Sequence, residues 1–366
     1  MTIGVHAVPA FKPEPTGVEH YAREVISRVV PLAKEQGASC ILYTKSDSFE
    51  DPANLPIRQS ADIRALRAPI LWTQARLSWE MFRRPPDVLF VPGNALPRVL
   101  PKRTVLTVHG VEFLLSPQYF ERRHRSYLTW LTRDGVRRAD AVIVPSRATA
   151  EALMMHVGAD ERKLHVIPHG APVSAGLPNA PHTISHIPFI LYIGRLEIHK
   201  NVHGLVDAFS QYRAMNPDHE TKLYLAGKPS FGYRTIRRAI ERSPYRKDIR
   251  ELGYINEQQK WELLRACTLF CLPSFSEGFG LPVLEAQAVG VPVMTSATTA
   301  MPEVAGRGAF FVDPFSSSSI IGGLTKVMRD EDLRTQLVAT GRENLARFSW
   351  DKAAQQTLDV LVGNTV

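Results

Sequence analysis

Short apolar runs that fit a strand alternate with longer stretches of helical pattern along this 366-residue chain. Such alternation restricts a chain to parallel sheets covered by helices. Thr2 to Val8 reads as strand, Tyr21 to Leu32 as helix and Ser39 to Thr44 as strand. Val88 to Val91, Arg103 to His109, a helix from about Arg123 to Arg138, Ala141 to Val144 and Leu164 to Ile167 continue the series. A second series opens at Phe189 and runs through Lys222 to Ala226, Ile249 to Leu252, Thr268 to Leu272, Val291 to Thr295 and Ala309 to Val312. Between the two, Ala171 to Pro188 is rich in Pro, Ser and Gly and reads as a linker. The length suffices for two cores. The expected class is α/β, with two similar halves and no sequence repeat. Ligands of such sheets bind beyond the carboxyl ends of the strands, so two halves facing each other would enclose a cleft.

Composition narrows the setting. The longest apolar runs fall short of the roughly 18 residues of a membrane span, and Met1 leads directly into a strand-like TIGVHAV, so a cytoplasmic location is expected. Cys40, Cys267 and Cys271 are the three cysteines. Cys267 and Cys271 flank an apolar strand with no second Cys/His pair nearby, which is the setting of core cysteines rather than of a metal pair. The net charge of +8 is uneven: residues 1 to 183 hold 23 Lys and Arg against 17 Asp and Glu, residues 184 to 366 hold 21 against 19. Arg83, Arg84, Lys102, Arg103, the run Glu121 to Arg125, Arg133, Arg137 and Arg138 carry most of the basic excess. Such a surface suits an anionic membrane, an acidic acceptor or solvent. Zinc-finger, RNA-binding and helix-turn-helix signatures are missing, which argues against nucleic acid. Ile63 to Arg84 mixes Trp72 and Trp79 with arginines and suits either an anionic membrane surface or packing on the first sheet, with Pro69 interrupting the pattern.

The segment Ser274 to Gly290, SFSEGFGLPVLEAQAVG, is the most informative for function. Glu277 and Glu285 stand in it with seven residues between them. A strand precedes it, and Leu281 to Val289 reads as a helix stopping at Gly290. The helix start offers unpaired backbone N–H groups and the positive end of its dipole to phosphate, while the carboxylates suit sugar hydroxyls. Upstream, Ile193 ends a strand and GRLEIHKN follows, placing Arg195 and Lys200 on either side of a short connection. Such a pair can hold a diphosphate, or can be two surface cations beside a turn.

GRLEIHKN, LYLAGK and the stretch from ELGYINEQQK to TTAMPEVAG resemble the donor-binding domain of the retaining glycosyltransferases of family GT4, which have the GT-B fold of two Rossmann-like domains facing each other across a cleft. TGVEHYAREV, TVLTVHG, AVIVPSRATAEAL and VIPHGAP extend the likeness, more weakly, to the first half. The resemblance implies an acceptor-binding domain over residues 1–182, a nucleotide-sugar domain over 183–348, and a last helix over 349–366 that crosses back to the first domain. It implies that Arg195 and Lys200 neutralise the donor diphosphate, that Glu277 contacts the donor sugar, and that Glu285 holds the ribose hydroxyls. Gly278, Phe279, Gly280 and Leu281 would meet sugar or phosphate, and Ile255 would read the base through its main chain. His109 matches a histidine that touches the donor sugar near the reacting carbon. Gly17 would bring amides toward the diphosphate, although Thr16 stands where many relatives carry a second glycine; Glu19 and Tyr21 are then expected to face the acceptor. His169, in PHG, reads as a structural turn residue.

The resulting expectation is a metal-independent, retaining hexosyltransferase acting on a saccharide or lipid-linked saccharide, with no cofactor beyond its nucleoside diphosphate sugar donor. It would be cytoplasmic or peripheral on the inner membrane face. General likeness to bacterial polysaccharide mannosyltransferases favours mannose from GDP-mannose, with UDP-glucose or UDP-galactose close behind. A sugar phosphorylase, a sugar-nucleotide epimerase and a non-catalytic sugar-nucleotide-binding subunit are the alternatives. No GxGxxG, P-loop, HExxH or GxSxG motif occurs. Asp330-Glu331-Asp332 follows a helical stretch and reads as a helix cap with an acidic first turn rather than a metal-binding DxD.

Overall fold

The computed structural model describes residues 1–45, 60–68, 70–172 and 187–364. Most of the linker read from Ala171 to Pro188, and Pro69, lie outside the described residues. Two compact units form: Met1–Leu114 with Arg122–Gly170 and Ser349–Val366, and Ala171–Phe348 with Leu115–Glu121.

Unit 1 contains β1 (Thr2–His6), α1 (Gly17–Glu35), β2 (Ser39–Thr44), β3 (Ala61–Ala65), α2 (Ser78–Arg83), β4 (Val88–Val91), β5 (Arg103–Thr107), α4 (Arg122–Arg138), β6 (Ala141–Val144), α5 (Arg147–Val157), β7 (Leu164–Val166) and α13 (Trp350–Val362); a short α3 (Glu112–Leu115) precedes α4. The strands form one parallel sheet in the order β3-β2-β1-β4-β5-β6-β7. Val5 pairs with Leu42 on one side and Phe90 on the other, so β1 is central and the chain direction across the sheet reverses between β1 and β4. Strands covered by helices on both faces need apolar residues at every position, and β4 and β6 are buried along their whole length.

The helices of unit 1 begin and end where the local chemistry directs. Thr16 and Glu19 form a capping box at α1, Ser146 accepts from the Thr149 amide at 3.1 Å to start α5, and Gly158 in the left-handed region (φ 72°) ends it. Ser349 caps α13, which lies along α1 and buries Trp350, Ala354, Leu358 and Leu361 there, with Arg28 reaching Asp351 at 2.8 Å.

The stretch from Ile63 to Arg84 is not one amphipathic segment. Ile63 to Ala65 belong to the edge strand β3, a π-helical turn follows over Trp72–Leu77, and α2 completes it. Its two tryptophans separate accordingly. Trp72 is buried and donates to the Leu66 carbonyl at 2.8 Å, while Trp79 is exposed beside Phe82.

Unit 2 repeats the plan with β8 (Phe189–Ile193), α6 (Val202–Met215), β9 (Lys222–Ala226), α7 (Tyr233–Arg242), β10 (Ile249–Gly253), α8 (Glu257–Ala266), β11 (Leu269–Leu272), α9 (Leu281–Ala288), β12 (Val293–Ser296), α10 (Met301–Ala305), β13 (Phe310–Val312), α11 (Ser317–Arg329) and α12 (Glu331–Leu345). Its parallel order is β10-β9-β8-β11-β12-β13, so the direction reverses between β8 and β11. That is where a doubly wound sheet opens a crevice at its carboxyl edge. Asp330 is the N-cap of α12, accepting from the Leu333 amide at 2.9 Å, with Glu331 and Asp332 in the first turn. Cys267 and Cys271 are buried thiols of the core.

Two glycines of unit 2 set opposite expectations. A Cβ on Gly227 (φ 149°) would stand 1.9 Å from the Gly194 carbonyl oxygen, whereas one on Gly322, inside α11, meets nothing within 4 Å. Gly227→Ala should therefore destabilise by about 2–4 kcal/mol and Gly322→Ala should stabilise by about 0.5–1 kcal/mol, both read as shifts in the urea midpoint. In unit 1, His6 is buried against Trp72 at a centroid distance of 5.1 Å, and neither ring nitrogen has a hydrogen-bond partner among the described residues. Burial, with Lys45 nearby, pushes its pKa down to about 4 from 6.5. The unfolded chain thus takes up a proton that the folded state refuses. The stability this contributes is complete above pH 6.5 and is lost as pH falls toward about 4. Urea midpoints should drop through that window, and His6→Phe should make the drop shallower.

Candidate active site

The turn after β8 starts with Gly194 at φ 155°; a Cβ there would lie 2.8 Å from the Tyr192 hydroxyl, and the Gly194 carbonyl in turn leaves no room for a side chain on Gly227. Tyr192 donates its hydroxyl to the Arg195 carbonyl at 2.9 Å and fixes the turn from below. Burial raises the Tyr192 phenol well above its ordinary value, so it stays protonated and able to donate. The chain then folds through Ile198–Lys200 in one tight turn, with the Lys200 amide donating to the Glu197 carbonyl at 3.1 Å and Asn201 left-handed at φ 55°. Asn201 anchors the bend by donating from Nδ2 to the Pro314 carbonyl at 2.9 Å.

Arg195 and Lys200 leave this turn toward different carboxylates. The Arg195 guanidinium lies 3.0 Å from Glu197 Oε1, a buried carboxylate that also accepts from Ser230 Oγ at 2.7 Å. The Arg195 side chain as a whole is 58% exposed. Lys200 Nζ reaches Glu277 Oε1 at 2.7 Å, and the same oxygen accepts from Ser274 Oγ at 2.7 Å. Burial works against the Glu277 charge, but Lys200 beside it and the Ser274 hydrogen bond hold its carboxyl below the usual range. Glu277 is therefore an ionised acceptor at neutral pH. Thr299, strained at φ 52°, accepts the Glu277 amide at 3.0 Å on its Oγ1 and fixes the backbone as well.

Beyond Glu277 the chain passes through Gly278 and Phe279 into Gly280, the left-handed N-cap of α9 at φ 95°. A Cβ there would lie 2.4 Å from Met301 Cε, so glycine is required for fit as well as for conformation. No side chain caps α9, and Leu281 opens it with Pro282 next. Phe279 sits edge-on to Phe348 at 5.9 Å and helps hold the helix start in place. Glu285 lies one turn in, 8% exposed, and its Oε1 accepts from Lys260 Nζ of α8 at 2.6 Å. Ile255 follows the left-handed Gly253, and its own amide and carbonyl make no backbone hydrogen bond among the described residues. An arrangement of two cations, two carboxylates, a helix start and an open main-chain edge on the β8/β11 crevice can hold an anion next to hydroxyl groups.

The expected residues of unit 1 take these positions. His109 follows β5, and since a carbonyl only accepts, its Nε2–H donates to the Pro92 carbonyl at 3.3 Å, leaving Nδ1 as an acceptor. Burial pushes its pKa down to about 4, so the ring is neutral. Tyr21 meets it edge-on at 4.8 Å, and His169 stacks on Trp350 at 5.7 Å behind it. Gly17 is the first residue of α1, with open space where a Cβ would be.

Tyr21 and Glu19 are corrections to the sequence reading, which turned both toward an acceptor. Tyr21 is fully buried with its hydroxyl 3.2 Å from Thr107 Oγ1. Glu19 is buried in the capping box, accepting from the Thr16 amide at 3.0 Å and from Lys12. Thr16 thus has a cap to make, which gives a reason for a threonine in place of a second glycine. Glu197, Lys260, Ser274 and Thr299 were not singled out from the sequence. Lys260 gave no signal in the sequence: only the fold shows that it shares the buried face of α8 with Trp261 and Leu264.

Comparison with known proteins matches residues 181–344 to the family described as Glycosyl transferases group 1 and residues 15–175 to Glycosyltransferase Family 4. The O-antigen chain mannosyltransferase B of Escherichia coli is 27% identical over 382 aligned positions, which take in 97% of this chain and 98% of that one. Among solved structures, HepE from Anabaena in complex with UDP and glucose superposes with a TM-score of 0.75 at 18% identity, covering 99% of both chains. WaaG, a glycosyltransferase involved in lipopolysaccharide biosynthesis, superposes with a TM-score of 0.74 at 16% identity over 100% of both. Both units together place this chain in glycosyltransferase family 4, with the GT-B fold.

Proposed function

We propose that the chain transfers mannose from GDP-mannose to a hydroxyl of a saccharide or lipid-linked saccharide in polysaccharide or lipopolysaccharide assembly, with retention at the anomeric carbon and without a metal ion. The near full-length match to an O-antigen chain mannosyltransferase supports the sugar and the acceptor class. The observation that carries the chemistry is the pairing of Lys200 with Glu277 at 2.7 Å beside the uncapped start of α9. Arg195, Lys200 and the first amides of α9 take up the charge that grows on the diphosphate as the C1–O bond breaks. An acceptor hydroxyl then attacks C1 from the face the diphosphate leaves, and its proton passes to a phosphate oxygen. Glu277, ionised and held by Lys200 and Ser274, orients the sugar and favours positive charge near C1. His109, with Nε2 committed to Pro92, offers Nδ1 as an acceptor for a sugar hydroxyl.

We assign the aromatic and basic surface of unit 1 to an anionic lipid face. Trp79 and Phe82 of α2 are 53% and 69% exposed, and Arg83 and Arg84 follow them. On α4, Tyr127 and Trp130 are 53% and 61% exposed among Arg122, Arg123, Arg133 and Arg137. The Pro97-Arg98 segment touches both helices, since the Arg98 amide donates to Ser78 Oγ at 2.8 Å and Arg138 donates to the Pro97 carbonyl at 2.9 Å. Aromatic rings set among arginines match the boundary between anionic head groups and acyl chains. No described helix is long and apolar enough to cross a membrane.

The donor is tested by thermal shift against GDP-mannose, UDP-glucose and UDP-galactose. GDP-mannose should raise the melting temperature most, and a larger shift with either UDP-sugar would replace mannose in this reading. Lys200→Ala and Glu277→Ala should each lower kcat on the order of 10²-fold or more, followed as acceptor-dependent release of nucleoside diphosphate. Unchanged turnover in both would remove the site. In sedimentation with vesicles, binding should require anionic lipid, and Trp79→Ala with Phe82→Ala should weaken it by about tenfold. Equal binding to neutral vesicles would refute the lipid assignment.

A further inference from the structure

Lys260 is an anomaly on α8. A helix beside a sheet turns an apolar face inward, and α8 does so with Trp261 and Leu264, yet Lys260 shares that face at 9% exposure. Taking an ammonium out of water is costly unless partners replace the lost hydration. Three groups do so here. Glu285 Oε1 lies 2.6 Å from Nζ, Glu257 Oε2 lies 2.9 Å away, and the Trp261 ring centre is 4.6 Å below. Burial alone would strip the proton from Lys260, but the two carboxylates outweigh it and hold its pKa above the ordinary lysine value.

The geometry on the Glu285 side is one-sided. Only Oε1 is engaged by Lys260, and Oε2 makes no hydrogen bond among the described residues. A lone carboxylate has several rotamers. One oxygen clamped by a charged, doubly held lysine removes that freedom, leaving a fixed acceptor. The charge of Lys260 also offsets that of Glu285, which would otherwise repel a diphosphate bound at the start of the same helix.

We propose that Lys260 is a positioning residue for donor recognition: through Glu257 and Trp261 it holds Glu285 in the one orientation in which the carboxylate accepts the ribose hydroxyls of the donor. This rests on the reading of Glu285 as the ribose anchor and adds to it the residue that makes the anchor rigid. It also separates the three cations of the crevice by task. Arg195 and Lys200 face the ligand, while Lys260 stands behind a carboxylate and acts through it.

The test compares the ribose hydroxyl directly. GDP and 2′-deoxy-GDP, and UDP and 2′-deoxy-UDP, are titrated calorimetrically into the full-length protein and into Lys260→Met, Lys260→Arg and Glu285→Gln. For the nucleotide that binds, the wild type should prefer the ribo form by about tenfold or more, the size of a hydrogen bond to a charged acceptor. Lys260→Met should reduce that preference to within about threefold, and Lys260→Arg should restore most of it. In turnover, Lys260→Met should raise the donor KM with kcat changed less than about threefold, the pattern of lost uniform binding. Removing the lysine from a buried pair threatens folding, so Lys260→Thr, too short to reach Glu285, carries the same comparison should Lys260→Met fail to fold. Retention of the full ribo preference in the folded Lys260 variant, together with its loss in Glu285→Gln, would overturn the role of Lys260 alone. Retention of the preference in Glu285→Gln would overturn the ribose anchor itself and this inference with it.

Discussion

Three carboxylates lie almost out of water at the carboxyl edge of the unit 2 sheet, and each has a cation within 3.0 Å: Glu197 with Arg195, Glu277 with Lys200, Glu285 with Lys260. Charges in such a place are tolerated only in pairs, because solvation lost on burial is recovered from the partner. Much of the local backbone serves this balance. The close approach of Gly194 and Gly227 seats the β8 turn, the left-handed Asn201 turns the chain so that Lys200 points back to Glu277, and Thr299 holds the Glu277 amide. The result is an array of paired charges whose backbone positions are set by the fold. Sheet topology supplies the location, since the reversal between β8 and β11 is what brings the two turns side by side.

The histidines of unit 1 contrast with this. His109 and His169 are held neutral by burial, packed with Tyr21 and Trp350. Neutral imidazole is a hydrogen-bonding group with one donor and one acceptor, not a source of positive charge. On the proposed reading the cations that would answer a departing diphosphate therefore belong to unit 2, and His109 would be suited to sugar hydroxyls. Helix α13 shapes this surroundings too: Trp350 at its start stacks on His169, and Gly170 passes so near Trp350 that any side chain would collide.

Residues whose role follows from backbone pattern were legible in sequence. Leu269 to Leu272 had to be a doubly covered strand because all four are apolar, and the spacing of Glu277 and Glu285 placed one before a helix and the other a turn inside it. Roles that depend on a distant partner were not legible. A lysine in EQQKWELL reads as solvated until Glu285, 25 positions later, is brought against it. Glu197 reads as a turn residue until Ser230 and Arg195 close on it. Strand β3, Ala61–Ala65, carries Asp62 and Arg64 and lies at the sheet edge, where charged side chains are allowed, so its apolar signal is weak. Tyr21 and Glu19 were misread for the opposite reason. Their polar atoms suggested a ligand, but a capping box and a buried threonine already used them.

The state of Glu277 also bears on how retention would be achieved. A carboxylate that attacks carbon needs an oxygen lone pair of good basicity directed at the reacting atom. Both Lys200 and Ser274 donate to the same oxygen, Oε1, and the carboxyl is held below its usual range. Each of these lowers nucleophilicity and strengthens the group as a fixed negative charge. On the proposed reading Lys200 would couple the two ends of the event: as negative charge developed on a diphosphate, the ammonium that now neutralises Glu277 would be drawn toward phosphate, and the carboxylate would be left with more of its charge to oppose a cationic sugar. A single lysine between carboxylate and leaving group would thus favour charge separation along the breaking bond, and with it front-face substitution over a covalent glycosyl-Glu277 intermediate.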